Sequence, residues 1–131
     1  SEMLRLGRCR VPVTIERLMM VDSLYMTDAQ REGICSACVC SADKRILITH
    51  GTDTMAETAG RIAERVSGKT VVLTGAMVPY RFGSSDGLFN LGSALAFTQS
   101  MPAGVYVAMN GRCFRHDNVR KNKETGIFEE R

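Results

Sequence analysis

Three short apolar runs, RILITH (45–50), TVVLTGAM (70–77) and GVYVAMN (104–110), are separated by stretches whose apolar residues recur at helical spacing. A run this short without polar alternation marks a strand covered on both faces, as parallel strands joined by helices are. Between the first two runs, Met55, Ala59, Ile62, Ala63 and Val66 form the stripe of a helix lying on a sheet, and Gly68 is placed to stop it. Between the second and third, LFNLGSALAFTQSM (88–101) predicts another helix with Leu88, Leu91, Ala94 and Leu95 inward. Upstream, Thr27 and Gln30 make a Thr-x-x-Gln capping box, in which hydroxyl and amide satisfy each other's neighbouring backbone donors. The helix it opens runs to about Cys40, with Ile34, Ala37 and Cys38 on one face. VTIERLMM (13–20) is rich in β-formers and predicts a strand ending near Val21, and EMLRLGRC (2–9) a short helix. The order β-α-β-α-β-α-β predicts an α/β fold, a mostly parallel sheet with helices on both faces.

With 131 residues, 44% of them hydrophobic, the chain is long enough for one domain with a real core and too short for two ordinary ones. No linker or repeat divides it, so residues 1–131 are expected to form a single domain. No apolar run approaches the ~20 residues that span a bilayer, and SEMLRLGRCRVPV lacks the apolar stretch of a secretory signal, so a cytoplasmic protein without membrane contact is expected. The net charge of +3 is small, and the basic cluster at 115–123 is interrupted by Asp117 and followed by Glu124, Glu129 and Glu130. With no aromatic series for stacking, nucleic acid is not an expected partner. Five cysteines and no secretory signal favour reduced thiols. Cys35 and Cys38 fall inside the predicted helix, where small buried hydrophobes are ordinary, so no metal and no cofactor is expected.

In sheets of this kind ligands gather beyond the carboxyl ends of the strands. The segments VDSLYMTD, THGTDTM, TGAMVPYRFGSSDG and MNGRCFRHDNVRKNK each follow a predicted strand, and parallel order places all of them on one edge. The second is the most loaded, with His50, Gly51, Thr52, Asp53 and Thr54 in succession. Thr and Asp are good helix N-caps, and Asp in a first turn complements the helix dipole. Capping needs one such residue, however, and here three polar residues stand beside a glycine that permits close approach to the backbone. From the residues alone, Lys121 reads as a solvated lysine in a basic loop, Ser23 as a turn hydroxyl, and His50 as a hydrogen-bonded packing residue.

The string ILITHGTDTM (46–55) resembles the second signature of the bacterial-type L-asparaginases, amidohydrolases that use threonine to hydrolyse asparagine to aspartate and ammonia. DSLYM (22–26) resembles that family's substrate loop, LTGAM with SSDGLFNLGSA its next strand, loop and helix, and VYVAMNG with DNVRKNKETGIFE the segment carrying its lysine. The matches run in family order over residues 13–128. The resemblance implies that Thr52 aligns with the amide or activates water, that Lys121 moves its proton, and that Asp53 holds both the lysine and the substrate's α-ammonium. It further implies that Ser23 binds the α-carboxylate, with Gly51 beside it, that the main chain at Ala76 touches the side-chain amide, and that the protein is a homodimer or larger.

General chemistry supports such a set. A threonine hydroxyl is a weak nucleophile until a base takes its proton, and a lysine can be that base when burial or neighbouring positive charge loosens its own. An anion beside the lysine works against that and fixes its position. Three departures from the family pattern stand out. The first signature, a strand followed by Thr-Gly-Gly-Thr-Ile that carries the principal nucleophile, has no counterpart, and neither has the smaller C-terminal domain. A first strand is therefore expected to be missing at the N-terminus, with a natural short form at the other end. Within DSLYM, Tyr25 replaces the usual small polar or acidic residue. Two functions are expected from this pattern: hydrolysis of the side-chain amide of a small amino acid, or a binding module that senses asparagine or aspartate without turnover.

Overall fold

A computed structural model describes residues 1–131 apart from the side chain of Arg81. The elements in chain order are α1 (Glu2–Leu6), α2 (Asp28–Cys40), β1 (Arg45–Thr49), α3 (Met55–Arg65), β2 (Thr70–Thr74), α4 (Gly87–Ser100), β3 (Gly104–Met109), β4 (Arg112–Arg115), β5 (Arg120–Lys121) and β6 (Phe128–Glu129), with single 3₁₀ turns at Ser23–Tyr25 and Tyr80–Phe82. Strands β1 to β4 form one sheet in that order, and β5 and β6 a separate antiparallel pair. The register of β1 on β2 runs from Arg45 opposite Thr70 to Thr49 opposite Thr74, so both strands end level. β3 joins β2 in parallel, and only β4 runs antiparallel. The fold is the α/β arrangement expected, mostly parallel with helices on both faces.

Successive residues of the central strands point to opposite layers. Val71 and Leu73 of β2, with Val105, Val107 and Met109 of β3, pack against Ile34, Cys35 and Cys38 of α2 and Met55, Ala59 and Ile62 of α3. Val72, Tyr106 and Ala108 face the other way, against Ala94 of α4. Cys35 and Cys38 thus sit in the core, where burial pushes both thiols up, that of Cys38 to about 11. Such thiols stay protonated and act as small apolar groups. Among the described residues no helix is long and apolar enough to cross a membrane.

Four details differ from the sequence expectation. Strand β1, expected to be covered on both faces, lies at the edge of the sheet and is only half-buried. Val13–Met20 is neither strand nor helix, and Ile15 and Met20 are 61% and 81% exposed. β-forming residues make a strand only where a neighbour accepts their backbone hydrogen bonds, and among the described residues none lies alongside. In α4, Leu91 and Ala94 are buried as expected, but Leu88 is exposed and Leu95 half-buried, while Asn90 and Thr98 point inward. Finally, the loop expected after β3 contains β4. Asn110 and Gly111, at φ 52° and 85°, form the two-residue hairpin turn whose twist suits antiparallel strands.

Candidate active site

The ladder of β1 on β2 ends with the His50 N–H donating to the Thr74 carbonyl at 2.9 Å. The chain then leaves the sheet and enters α3 within five residues. None of the hydroxyls there caps the helix: Thr54 occupies the N-cap position, yet its side chain makes no capping bond. Just before the helix, the buried Oγ of Ser23 accepts the backbone N–H groups of Asp53 at 3.1 Å and Thr54 at 3.3 Å. In return the Thr54 hydroxyl donates to the Ser23 carbonyl at 2.9 Å. Gly51 is what permits this contact. A β-carbon there would stand 2.8 Å from Ser23 Oγ and 3.1 Å from its backbone nitrogen. The glycine therefore admits the 3₁₀ turn that carries Ser23, and this turn ties down the segment leading into α3.

The side chains of Thr52 and Asp53, which make no capping bond, meet another partner, Lys121. Its Nζ donates to Thr52 Oγ1 and to Asp53 Oδ1, each at 2.9 Å, across 69 and 68 residues of sequence. The lysine reaches the carboxyl edge of the sheet by a longer route than a simple loop after β3. The hairpin first carries the chain down to His116, whose N–H bonds the Val105 carbonyl. Buried Val119 and Phe128 then anchor the return through β5 and β6. The lysine side chain is 16% exposed and that of Asp53 40%, so the group opens to solvent on the aspartate side.

The Gly75–Val78 strip after β2 borders the same edge and is held by side chains from α4. Asp86 accepts the N–H groups of Met77 and Val78, and the Asn90 amide donates to both the Gly75 carbonyl and Asp86. Asn90 also accepts the Asn110 N–H, tying α4 to the β3–β4 turn. Burial opposes ionisation of Asp86, but the combined N–H donors of Val78, Met77 and its own backbone, with Asn90, keep its pKa below the ordinary 3.8. Ala76 is thus set in a rigid strip, half-buried. Sequence reasoning passed over Asp86 and Asn90, although an Asp placed four residues before an Asn at a helix start carries both an N-terminal and an i, i+4 signal.

His50 lies beneath the elbow. Its Nδ1 donates to the Gly51 carbonyl at 2.7 Å, since a carbonyl can only accept, and its Nε2 faces the Thr58 hydroxyl at 2.8 Å. Burial lowers its pKa from 6.5; the Gly51 bond works the other way and the charge of Arg31 adds to the lowering. A group held neutral in the fold binds its proton only on unfolding, so its stabilising contribution is complete above the unfolded pKa and is lost as pH falls below it. Urea midpoints are expected to hold level between about pH 8 and 7 and to fall through 6.5, by at most about 1.4 kcal/mol per pH unit for this one proton. His50→Gln should flatten that part of the profile, and an unaltered slope would assign the loss to another group.

Residues 3–128 match the family described as Asparaginase, N-terminal. The chain belongs to this family. It is 40% identical over 112 residues to L-asparaginase 2 of Escherichia coli (strain K12), an alignment covering 82% of this chain and 31% of that protein. It is 45% identical over 80 residues to the glutaminase-asparaginase of Acinetobacter glutaminasificans, covering 58% of this chain and 24% of that protein. L-asparaginase I of Vibrio cholerae superposes with a TM-score of 0.84 at 28% identity, over 98% of this chain and 43% of that one. The chain therefore spans less than a third of the length of those two curated relatives. Of the residues that the family resemblance singled out, the fold brings Ser23, Gly51, Thr52, Asp53 and Lys121 into one contact network, with Ala76 on the adjoining strip.

Proposed function

We propose that this asparaginase-family chain contributes to an amidohydrolase site that converts the side-chain amide of a small amino acid, L-asparagine, to L-aspartate and ammonia. The observation that carries the proposal is the placement of Lys121 Nζ at 2.9 Å from both Thr52 Oγ1 and Asp53 Oδ1. In the resting arrangement the lysine donates to both, and the Thr52 hydrogen is turned outward. Once Nζ has given one proton up to solvent, its nitrogen accepts that hydrogen while still donating to Asp53. Thr52 in turn takes the proton of the attacking oxygen as it bonds to the amide carbon. The proton then passes to the departing nitrogen, which leaves as ammonia. Water supplies the oxygen gained, so the sum is amide plus water to carboxylate plus ammonia.

An α-amino acid offers opposite charges on one carbon. Asp53 Oδ2 lies outside the bond to Lys121 and is suited to the α-ammonium. Ser23 Oγ accepts two N–H groups and keeps its own hydrogen for the α-carboxylate, which reaches the buried hydroxyl once the 3₁₀ turn carrying it shifts. The main chain at Ala76, fixed through Asp86 and Asn90, is suited to the side-chain amide. Leu24 and Tyr25, 63% and 76% exposed next to Ser23, give the site an apolar rim, which fits the homodimer that belongs to the same proposal.

Ammonia release from L-asparagine, read by a coupled assay, tests the proposal together with calorimetric titration of L-aspartate. Release and binding are expected for the wild-type protein, and Asp53→Ala should remove both. Binding without release would replace turnover by a sensing role. Neither binding nor release from folded protein would end the proposal.

A further inference from the structure

The amidohydrolase reading leaves one buried charge unexplained. Arg31 in α2 is 4% exposed and lies behind the elbow, pointing away from the cleft face that carries Thr52. Its guanidinium has every strong contact on groups of the site's underside. Nε donates to Thr58 Oγ1 at 3.2 Å, Nη1 to the Met26 carbonyl at 3.2 Å, and Nη2 to Thr54 Oγ1 at 2.8 Å. The carboxylates of Asp28 and Glu57, both largely in solvent, stand farther off at 3.7 and 3.5 Å. A cation kept out of water costs several kcal/mol unless its donors are met, so the position needs a reason beyond packing.

The chemistry of the side chain supplies one. An arginine can donate and cannot accept. Wherever it meets a hydroxyl, the oxygen is forced to accept and the hydroxyl hydrogen is turned to the far side. At Thr54 that hydrogen goes to the Ser23 carbonyl, and at Thr58 it goes to His50 Nε2. The second bond leaves the imidazole proton on Nδ1, where it holds the Gly51 carbonyl. One donor-only group therefore matches, from behind, the polarity that the Ser23 and Gly51 carbonyls, which can only accept, impose at the far end of each branch; a β-carbon on Gly51 would lie 2.8 Å from Ser23 Oγ, so the two ends are packed together. We infer that Arg31 is a positioning residue: by orienting the Thr54 and Thr58 hydroxyls it locks Ser23 and the Gly51–Asp53 backbone into the geometry that receives the ligand. The ligand half of this statement rests on the amidohydrolase reading; the orienting half does not.

The test uses Arg31→Met, Arg31→Lys and Thr54→Val in the full chain. Amide hydrogen exchange at Asp53 and Thr54, whose N–H groups bond Ser23, is compared with exchange at Val72 and Val107 in the sheet. In Arg31→Met the elbow amides should exchange about tenfold faster, the worth of one or two hydrogen bonds, with the sheet unchanged. The ¹⁵N shift of His50 Nε2, whose Thr58 donor is no longer held by Arg31, should move toward that of a free acceptor nitrogen, while Nδ1 stays protonated against the Gly51 carbonyl. Arg31→Lys, with a shorter reach and no fork, should recover only part of each signal. The Kd for L-aspartate should rise about tenfold in Arg31→Met and less in Arg31→Lys. Unchanged elbow exchange and an unchanged ring spectrum in folded Arg31→Met would overturn the inference, as would equal loss of protection at Val72 and Val107. Should Arg31→Met fail to fold, Thr54→Val decides by the elbow amides alone, with wild-type exchange counting against it. If the wild-type protein binds no L-aspartate while the exchange and ring signals behave as stated, the amidohydrolase reading falls and the role of Arg31 stands.

Discussion

Gly75→Ala is expected to destabilise the protein by roughly 2–4 kcal/mol, the upper part of the range for overpacking, while the same change at Gly33 should be neutral or stabilising by up to about 1 kcal/mol. A β-carbon at Gly75 would lie 2.2 Å from the His50 carbonyl oxygen and 3.0 Å from the Met55 Cε. Met55 is fully buried and its terminal methyl has room to move only at the expense of neighbours. The carbonyl has less freedom, because the His50 N–H is the last rung between β1 and β2. Relief must come from turning the His50–Gly51 peptide, which unseats both the imidazole bond to Gly51 and the elbow that follows. Gly33, by contrast, sits inside α2 with nothing within 4 Å of a notional β-carbon, so an alanine there gains helix propensity at no steric cost. The pair is read by thermal unfolding, with a drop of about 10 °C for Gly75→Ala and a small rise for Gly33→Ala. A Gly75→Ala protein as stable as the wild type would show that the two loops are not in the contact described.

The elbow was legible because its signal is local. A short apolar strand, five loaded residues and an amphipathic stripe occupy 22 consecutive positions, 45–66, and each part conforms to the next. Met55, Ala59 and Ile62 are fully buried, as their spacing requires. What Thr52 and Asp53 touch was not legible from periodicity. Lys121 lies in a polar segment that resembles any surface loop, and only the likeness to known sequences separated it from Arg120 and Lys123. The extended stretch at 13–20 shows the opposite failure. Its composition favours a strand, but strand formation depends on a neighbour, which is not encoded in the stretch itself. The β3–β4 hairpin could have been found, since Asn110-Gly111 is a dipeptide suited to a two-residue hairpin turn. Arg31 could have been found too. It precedes Ile34, Cys35 and Cys38 by three, four and seven residues, so a charge stands in the inward register of α2. A charge in that register must meet partners inside, and Thr54 and Thr58 are those partners. The inward Asn90 of α4 follows the same logic: apolar counting alone turned Leu88 inward, whereas the position that carries the loop contacts is the one buried.

Lys121→Met is expected to lower kcat for ammonia release by about 10²–10⁴-fold, the usual worth of a positioned acid or base, while leaving the Kd for L-aspartate within about tenfold. Methionine fills the lysine's path as far as Cε and lacks the ammonium, so Thr52 Oγ1 and Asp53 Oδ1 each forfeit one partner. Recognition should survive because the groups suited to the ligand's charges, Asp53 and Ser23, remain. An Asp53 carboxylate released from the lysine is, if anything, freer to take an α-ammonium. Asp53→Asn should behave in the reverse sense, weakening binding first, because the amide has no charge to offer the ammonium. Stability separates these effects from simple damage. The Lys121–Asp53 ion pair has its carboxylate side 40% exposed, and after screening such a pair contributes at most about 1 kcal/mol. Both variants should therefore unfold close to the wild-type midpoint. A folded Lys121→Met protein that releases ammonia at the wild-type rate would remove the lysine from the chemistry and leave it as a brace for the elbow. A rate loss matched by an equal loss of aspartate binding would make Lys121 part of recognition, with proton transfer assigned elsewhere.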